Sequence, residues 1–241
     1  MVAILLDGAR AALGADFVAM ALDGSLATGD FSPNSDIDFL VVTETPVSEA
    51  QFASLSALHA RIEASGVPFA LDVEGSYIHR SALRRYDPAD AIYPRLERGP
   101  GERLKWEEHL TDWVIHRYVL REKSVPVAGP PIRPMIDPVT PDELRQAVVA
   151  LMRAWWAPMV QNPAKLEHLG YRGYAVVSMC RMLYTMREGD VVSKPAAARW
   201  LIAGEGAAWS DLIERALIYQ LREDDLEAVL ELMRYTAGII C

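Results

Sequence analysis

The segment Ser35-Asp36-Ile37-Asp38-Phe39-Leu40-Val41-Val42 constrains this chain more than any other. Its apolar run, residues 37–42, has the length and β-branched content of a strand. On a strand, residues i and i+2 share a face, so Asp36 and Asp38 stand side by side while Ile37 and Phe39 turn the other way. Two adjacent carboxylates repel, and neither is cheaply buried alone. A hard divalent cation such as Mg²⁺, which takes oxygen ligands, resolves that conflict. An earlier apolar run, residues 17–22, ends at Asp23-Gly24-Ser25. Gly24 allows close backbone approach and Ser25 offers a hydroxyl to a phosphate, while a following helix start would turn free N–H groups to the same anion.

Helical and strand-like runs alternate through the first third of the chain. Residues 3–13 read as a helix, as do 48–64, where Phe52, Leu55, Leu58 and Ile62 recur at helical spacing behind a Ser48 cap. Gly66 and Pro68 end that helix, and residues 69–78 read as a third strand, with Asp72 and Glu74 on one face. From about residue 108 the pattern is helical, beginning with 109–122. It is interrupted by residues 125–141, which hold six of the fifteen prolines and read as an extended connection. Thr140, Pro141 and Glu143 then make a capping box, and further helices are expected over 171–187, 194–203, 208–222 and 224–238. The expected class is α+β: an α/β domain over 1–135, with a mixed sheet and flanking helices, followed by an all-α bundle over 136–241.

Composition narrows the function classes. Lys and Arg number 24 against 33 Asp and Glu, a net charge of −9, which argues against binding nucleic acid and suits a cationic small molecule. No apolar stretch reaches the roughly 18 to 20 residues of a membrane span, and the opening run lacks a basic flank and stops at Asp7. With only Cys180 and Cys241, a disulfide framework is excluded and a cytoplasmic location is expected. The five histidines are scattered, and His79 and His116 lack acid partners at recognisable spacing, so both read as structural.

Gly24-Ser25, ten residues, then Asp36-Ile37-Asp38 resembles the motif of the polymerase-β-like nucleotidyltransferase superfamily. The resemblance implies two Mg²⁺ on Asp36 and Asp38, ATP as co-substrate with Ser25 and Ser35 near its phosphates, and a third carboxylate as general base for an acceptor hydroxyl. Asp72 and Glu74 both qualify; the Ala70-Leu71-Asp72-Val73 context matches the antibiotic adenylyltransferases more closely. Residues 174–201, with Arg181, Tyr184, Gly189, Ser193, Lys194 and the Ala196–Ala198 run, are similar to the C-terminal domain of the enzymes that modify streptomycin and spectinomycin. That similarity implies AMP transfer to an aminoglycoside or aminocyclitol, with antibiotic resistance as the outcome; the alternatives are a nucleotidyltransferase acting on another small-molecule or protein hydroxyl, or a non-catalytic nucleotide-binding relative. It also implies Arg181, Lys194 and Tyr219 as nucleotide contacts from across an interdomain cleft. Trp106 lies where the family places a ring that stacks on the drug. Tyr171 stands where an acid holding the cationic drug is expected, Arg172 adds a positive charge there, and Glu167 is the nearby substitute. Trp155 and Trp156 read as helix-packing residues. A monomer acting on a nucleotide and a cationic acceptor, with neither nucleic acid nor membrane as partner, is the expectation.

Overall fold

A computed structural model describes residues 1–29, 31 and 35–241. They form two compact units, Met1–Pro138 and Val139–Cys241, where the division was expected at 135/136. In the first unit α1 (Val2–Leu13) leads to β1 (Phe17–Leu22), the one-turn α2 (Gly24–Thr28), β2 (Ile37–Thr43) and α3 (Glu49–Ala64). Then come β3 (Val73–His79), the short α4 (Arg80–Leu83), β4 (Ile92–Leu96), β5 (Lys105–Glu108), α5 (Trp113–Lys123) and β6 (Val125–Ala128). The sheet order is β5-β4-β3-β2-β1-β6. Only β2 and β3 are parallel, joined by the α3 crossover, and the other neighbours are antiparallel.

Each face of the sheet carries its own core. Leu55, Leu58 and Ile62 of α3 pack with Leu5 and Ala9 of α1 over Phe39, Val41 and Tyr77. On the other face Leu40, Val42, Ile78 and Tyr93 meet Trp113 and Leu120 of α5. The start of α3 is held by a capping box: Ser48 Oγ accepts from the Gln51 amide, and the Gln51 side chain accepts from the Ser48 amide at 2.9 Å.

Several elements differ from the expectation. The third strand starts at Val73 rather than at 69, because Phe69 adopts a left-handed φ of 66° and residues 67–72 close into turns, Ala70 N–H to Val67 O and Asp72 N–H to Phe69 O. β4 and β5 were not foreseen. Nor was β6, which lies inside the expected connection and pairs with β1. The helix expected from 109 starts at Trp113.

The second unit comprises α6 (Pro141–Leu151), a π-helical turn at Met152–Trp156, α7 (Ala157–Gln161), α8 (Leu169–Glu188), α9 (Lys194–Ala203), α10 (Ser210–Leu217) and α11 (Leu226–Ile240). Thr140 and Glu143 form the capping box of α6. α8 is the centre, burying Ala175, Val176, Met179, Cys180 and Leu183 against α6, α9, α10 and α11. The helix expected over 208–222 breaks after Leu217, where Tyr219 takes a φ of 58°. Among the described residues no helix is long and apolar enough to cross a membrane.

Two buried histidines make the first unit sensitive to acid. His59, 5% exposed, bonds through Nε2 to the Tyr77 hydroxyl at 2.8 Å, and burial pulls its pKa down from 6.5 to about 4. His109 stacks on Trp113 with ring centroids 3.5 Å apart, and burial, followed by the nearby Arg95 charge, lowers its pKa to about 2. The unfolded chain takes up protons below pH 6.5 that these folded rings refuse, so stability falls as pH drops. By pH 5 the loss is about 2 kcal/mol for each histidine. A urea midpoint measured at pH 7 and pH 5 checks this: the difference should shrink by about half of that combined loss in His59→Gln, and an unchanged difference would refute it.

Candidate active site

Strand alternation and pairing build the site. Asp38 lies on β2 directly opposite Glu74 on β3, and Ile37 opposite Val73, so the two acids share one face. Asp36, in the segment just ahead of β2, joins them: carboxylate oxygens of Asp36, Asp38 and Glu74 lie within 4.8 Å of one another. This is the one such group of three among the described residues. Asp72 is not part of it. It sits in the turn before β3, where its backbone carbonyl accepts from the Ile37 N–H at 2.7 Å. The third carboxylate of the group is therefore Glu74.

Gly24 belongs to the same construction. Its φ is 57°, and a Cβ placed there would fall 1.8 Å from Asp38 Oδ2, so both conformation and space require glycine. Among the described residues the Ser25 hydroxyl is buried without a hydrogen-bond partner. Ser35 immediately precedes Asp36. Asp30 and residues 32–34 of the ten-residue spacer lie outside the described residues.

Further residues enter the site that the sequence reading did not assign to it. Asp23, whose N–H donates to the Asp38 carbonyl at 3.2 Å, lines a small concavity with Asp38, Glu74, Ser76, Arg95 and His116. Burial, then the Glu74 charge, pushes the Asp23 carboxyl up to about 6. Burial likewise raises Glu74, Arg95 pulls it back down, and Asp36 adds to the rise. Arg95 forms an ion pair with Glu74, and Arg98 Nη1 lies 3.5 Å from Asp36. His116 stands half exposed on α5, with Nε2 3.8 Å from Asp112. The D-x-D spacing carries no sign of Arg95, Arg98 and His116, because β4 with the segment after it and α5 reach the site only through tertiary pairing.

Donor chemistry fits a divalent cation: three carboxylates with converging oxygens and an unpartnered hydroxyl nearby are hard oxygen ligands. Trp106 does not share this face. It pairs with Pro94, one residue from the Arg95–Lys105 pair, and so points to the opposite side, where it stacks on Phe52 of α3 at 5.1 Å and 12°.

In the second unit Arg181 lies partly buried within α8, Lys194 is the exposed first residue of α9 behind its Ser193 cap, and Tyr219 is exposed after α10. The Tyr171 hydroxyl accepts from Trp155 Nε1 at 3.1 Å, and Lys165 Nζ lies 4.0 Å over the Trp155 ring. Trp155 is thus an exposed surface ring, whereas Trp156 is buried as expected for packing. Glu167 is exposed at the end of the turn Pro163–Glu167. Arg172 adds no charge to this surface. Its guanidinium is buried, donating to the carbonyls of Leu166, Arg222 and Glu223.

The profile of the nucleotidyltransferase domain matches residues 11–88, and that of the aminoglycoside adenylyltransferase C-terminal domain matches residues 134–237. Aminoglycoside (3'') (9) adenylyltransferases of Klebsiella pneumoniae and Escherichia coli are each 26% identical, over 224 and 225 residues. These alignments cover 86% of this chain in both cases, and 79% and 80% of those proteins. A crystal structure of the spectinomycin adenyltransferase of Enterococcus faecialis with ATP and spectinomycin superposes with a TM-score of 0.77. At 17% identity it covers 99% of this chain and 97% of that one, and it shares the fold. With the three-carboxylate group inside the first matched segment and most of the helical unit inside the second, this chain pairs a nucleotidyltransferase domain with the C-terminal domain of the aminoglycoside adenylyltransferases.

Proposed function

We propose that this chain transfers AMP from ATP to a hydroxyl of an aminoglycoside or aminocyclitol and releases pyrophosphate. The observation that carries the reading is the convergence of Asp36, Asp38 and Glu74 in a nucleotidyltransferase domain joined to this family's own C-terminal domain. Asp36 and Asp38 would hold two Mg²⁺, which would supply charge stabilisation to an in-line displacement at phosphorus. Ser25 and Ser35 orient the triphosphate. Arg181, Lys194 and Tyr219 are assigned to the nucleotide on the resemblance of their segments to the family. Glu74 takes the proton of the acceptor hydroxyl as its oxygen bonds to the α-phosphorus, and the bond from that phosphorus to the pyrophosphate oxygen breaks.

Tyr171 and Glu167 are assigned to the acceptor. Tyr171 bound to Trp155 under the Lys165 ammonium offers ring faces rather than a carboxylate. That favours an aminocyclitol such as spectinomycin over the more cationic streptomycin. The test is Mg²⁺-dependent pyrophosphate release with spectinomycin, streptomycin and unrelated polyhydroxyl compounds. Release is expected with spectinomycin, together with resistance in a sensitive host. Release with unrelated compounds alone, or with neither antibiotic, would overturn the assignment.

A further inference from the structure

We propose that Arg95 is the positioning residue that keeps Glu74 in the catalytic group, so that the third carboxylate of this chain works only as one half of an Arg–Glu pair. The proposal rests on the nucleotidyltransferase reading above and deepens it. β4 pairs with β3 at Ser76↔Arg95, which brings Arg95 out on the same face as Glu74 and Ser76. Its Nη2 donates to Glu74 Oε1, its Nε lies 3.6 Å from Glu107 Oε1, and its guanidinium stands 5.9 Å from the Trp113 ring centre. The Arg95 side chain is 16% exposed, so it is held on three sides. Glu107 is itself fixed by Lys105 at 3.1 Å, whose Nζ also reaches Glu97 at 2.9 Å. Charges therefore alternate across this face of the sheet, from Glu74 through Arg95 and Glu107 to Lys105.

Physical need and geometry coincide here. Asp36, Asp38 and Glu74 repel one another within 4.8 Å, and a glutamate has enough side-chain torsions to swing its carboxylate away. Asp36 and Asp38 are tied to β2 by short side chains, whereas the longer Glu74 needs an external hold. A guanidinium supplies it in a fixed plane, which a lysine ammonium does not. Glu107 and Trp113 keep that plane from following Glu74 if it moves.

The test is a double-substitution cycle read in two ways. Binding of Mn²⁺ alone, followed by electron paramagnetic resonance, needs neither acceptor nor turnover and so stands whatever the acceptor proves to be. Steady-state pyrophosphate release gives kcat and the acceptor KM. In Arg95→Gln, Mn²⁺ binding should weaken about tenfold and kcat should fall about 10–100-fold, with the acceptor KM changed by less than about twofold. In a Glu74→Gln background the same Arg95→Gln change should move neither quantity by more than about twofold, because the group Arg95 acts through is gone. Arg95→Lys should restore part of the loss. Tighter Mn²⁺ binding in Arg95→Gln would overturn the proposal, since Arg95 would then merely oppose the ion. Equal losses with and without Glu74 would also overturn it.

Discussion

Asp38→Asn is expected to lower kcat for AMP transfer by at least about 10³-fold without lowering the melting temperature. Asp38 is the central acid of the site: it pairs across the sheet with Glu74, sits beside Asp36 and fills the space left by the missing Cβ of Gly24. Asparagine keeps that shape and removes one negative charge. A bound metal contributes several kcal/mol of charge stabilisation to the transition state, and each 1.4 kcal/mol is a factor of ten in rate. The same substitution relieves repulsion among three clustered carboxylates, which favours the folded state. Glu74→Gln should cost about 10²–10⁴ in kcat through loss of the general base, while Asp72→Asn, outside the group, should cost far less. Pyrophosphate release and a thermal melt on each variant decide the matter. A kcat for Asp38→Asn within tenfold of the parent chain would sink the site assignment.

Arg172→Met should destabilise the C-terminal unit by about 3–5 kcal/mol, a larger structural effect than any surface change in the chain. Arg172 reaches from α8 to the Leu166 carbonyl at one side and to those of Arg222 and Glu223 at the other. It joins the turn before α8 to the segment that enters α11, where Asp225 accepts from the Arg222 N–H at 2.7 Å. Methionine fills the volume but takes the donor from the buried Leu166 carbonyl and from the part-buried carbonyls of Arg222 and Glu223, where a shielded carbonyl left unpaired costs about 1–3 kcal/mol. Arg172→Lys should recover only part, because one ammonium cannot span both ends of the fork. Urea unfolding followed by far-ultraviolet circular dichroism measures the difference. A midpoint equal to that of the parent chain would show that water satisfies those carbonyls.

Local signals in the sequence were readable where the chemistry is local. The Ser48 and Thr140 caps are decided by residues three apart, and they stand as read. Asp36 and Asp38 were legible because strand alternation leaves no other way to place two acids beside Ile37 and Phe39. Glu74 was separable from Asp72 only by knowing where β3 begins. That point depends on Phe69 taking a left-handed φ, which no residue type signals there. β4 and β6 are short and contain Pro94 and Pro126, so they carry almost no periodic pattern and are defined by their partners. Trp106 and Arg95 then fall on opposite faces of the sheet, a matter of register between β4 and β5 rather than of either residue. Arg172 looked like surface charge because its three acceptors are backbone carbonyls supplied by two distant turns.

The parallel pairing of β2 with β3 bears on how freely a lineage of such enzymes can vary. Gly75 lies opposite Phe39, and a Cβ on it would fall 2.1 Å from the Phe39 carbonyl oxygen. An insertion or deletion between α3 and β3 that slipped the strand by one residue would press the Glu74 or Ser76 side chain against that carbonyl. It would also turn the third carboxylate to the wrong face. Drift in length is therefore closed to the stretch between Ala64 and Val73 wherever it would move the register. The turns of the helical unit are under no such rule. New acceptors are thus expected to arise through remodelling of the helical unit, while the stretch ahead of Gly75 keeps its register.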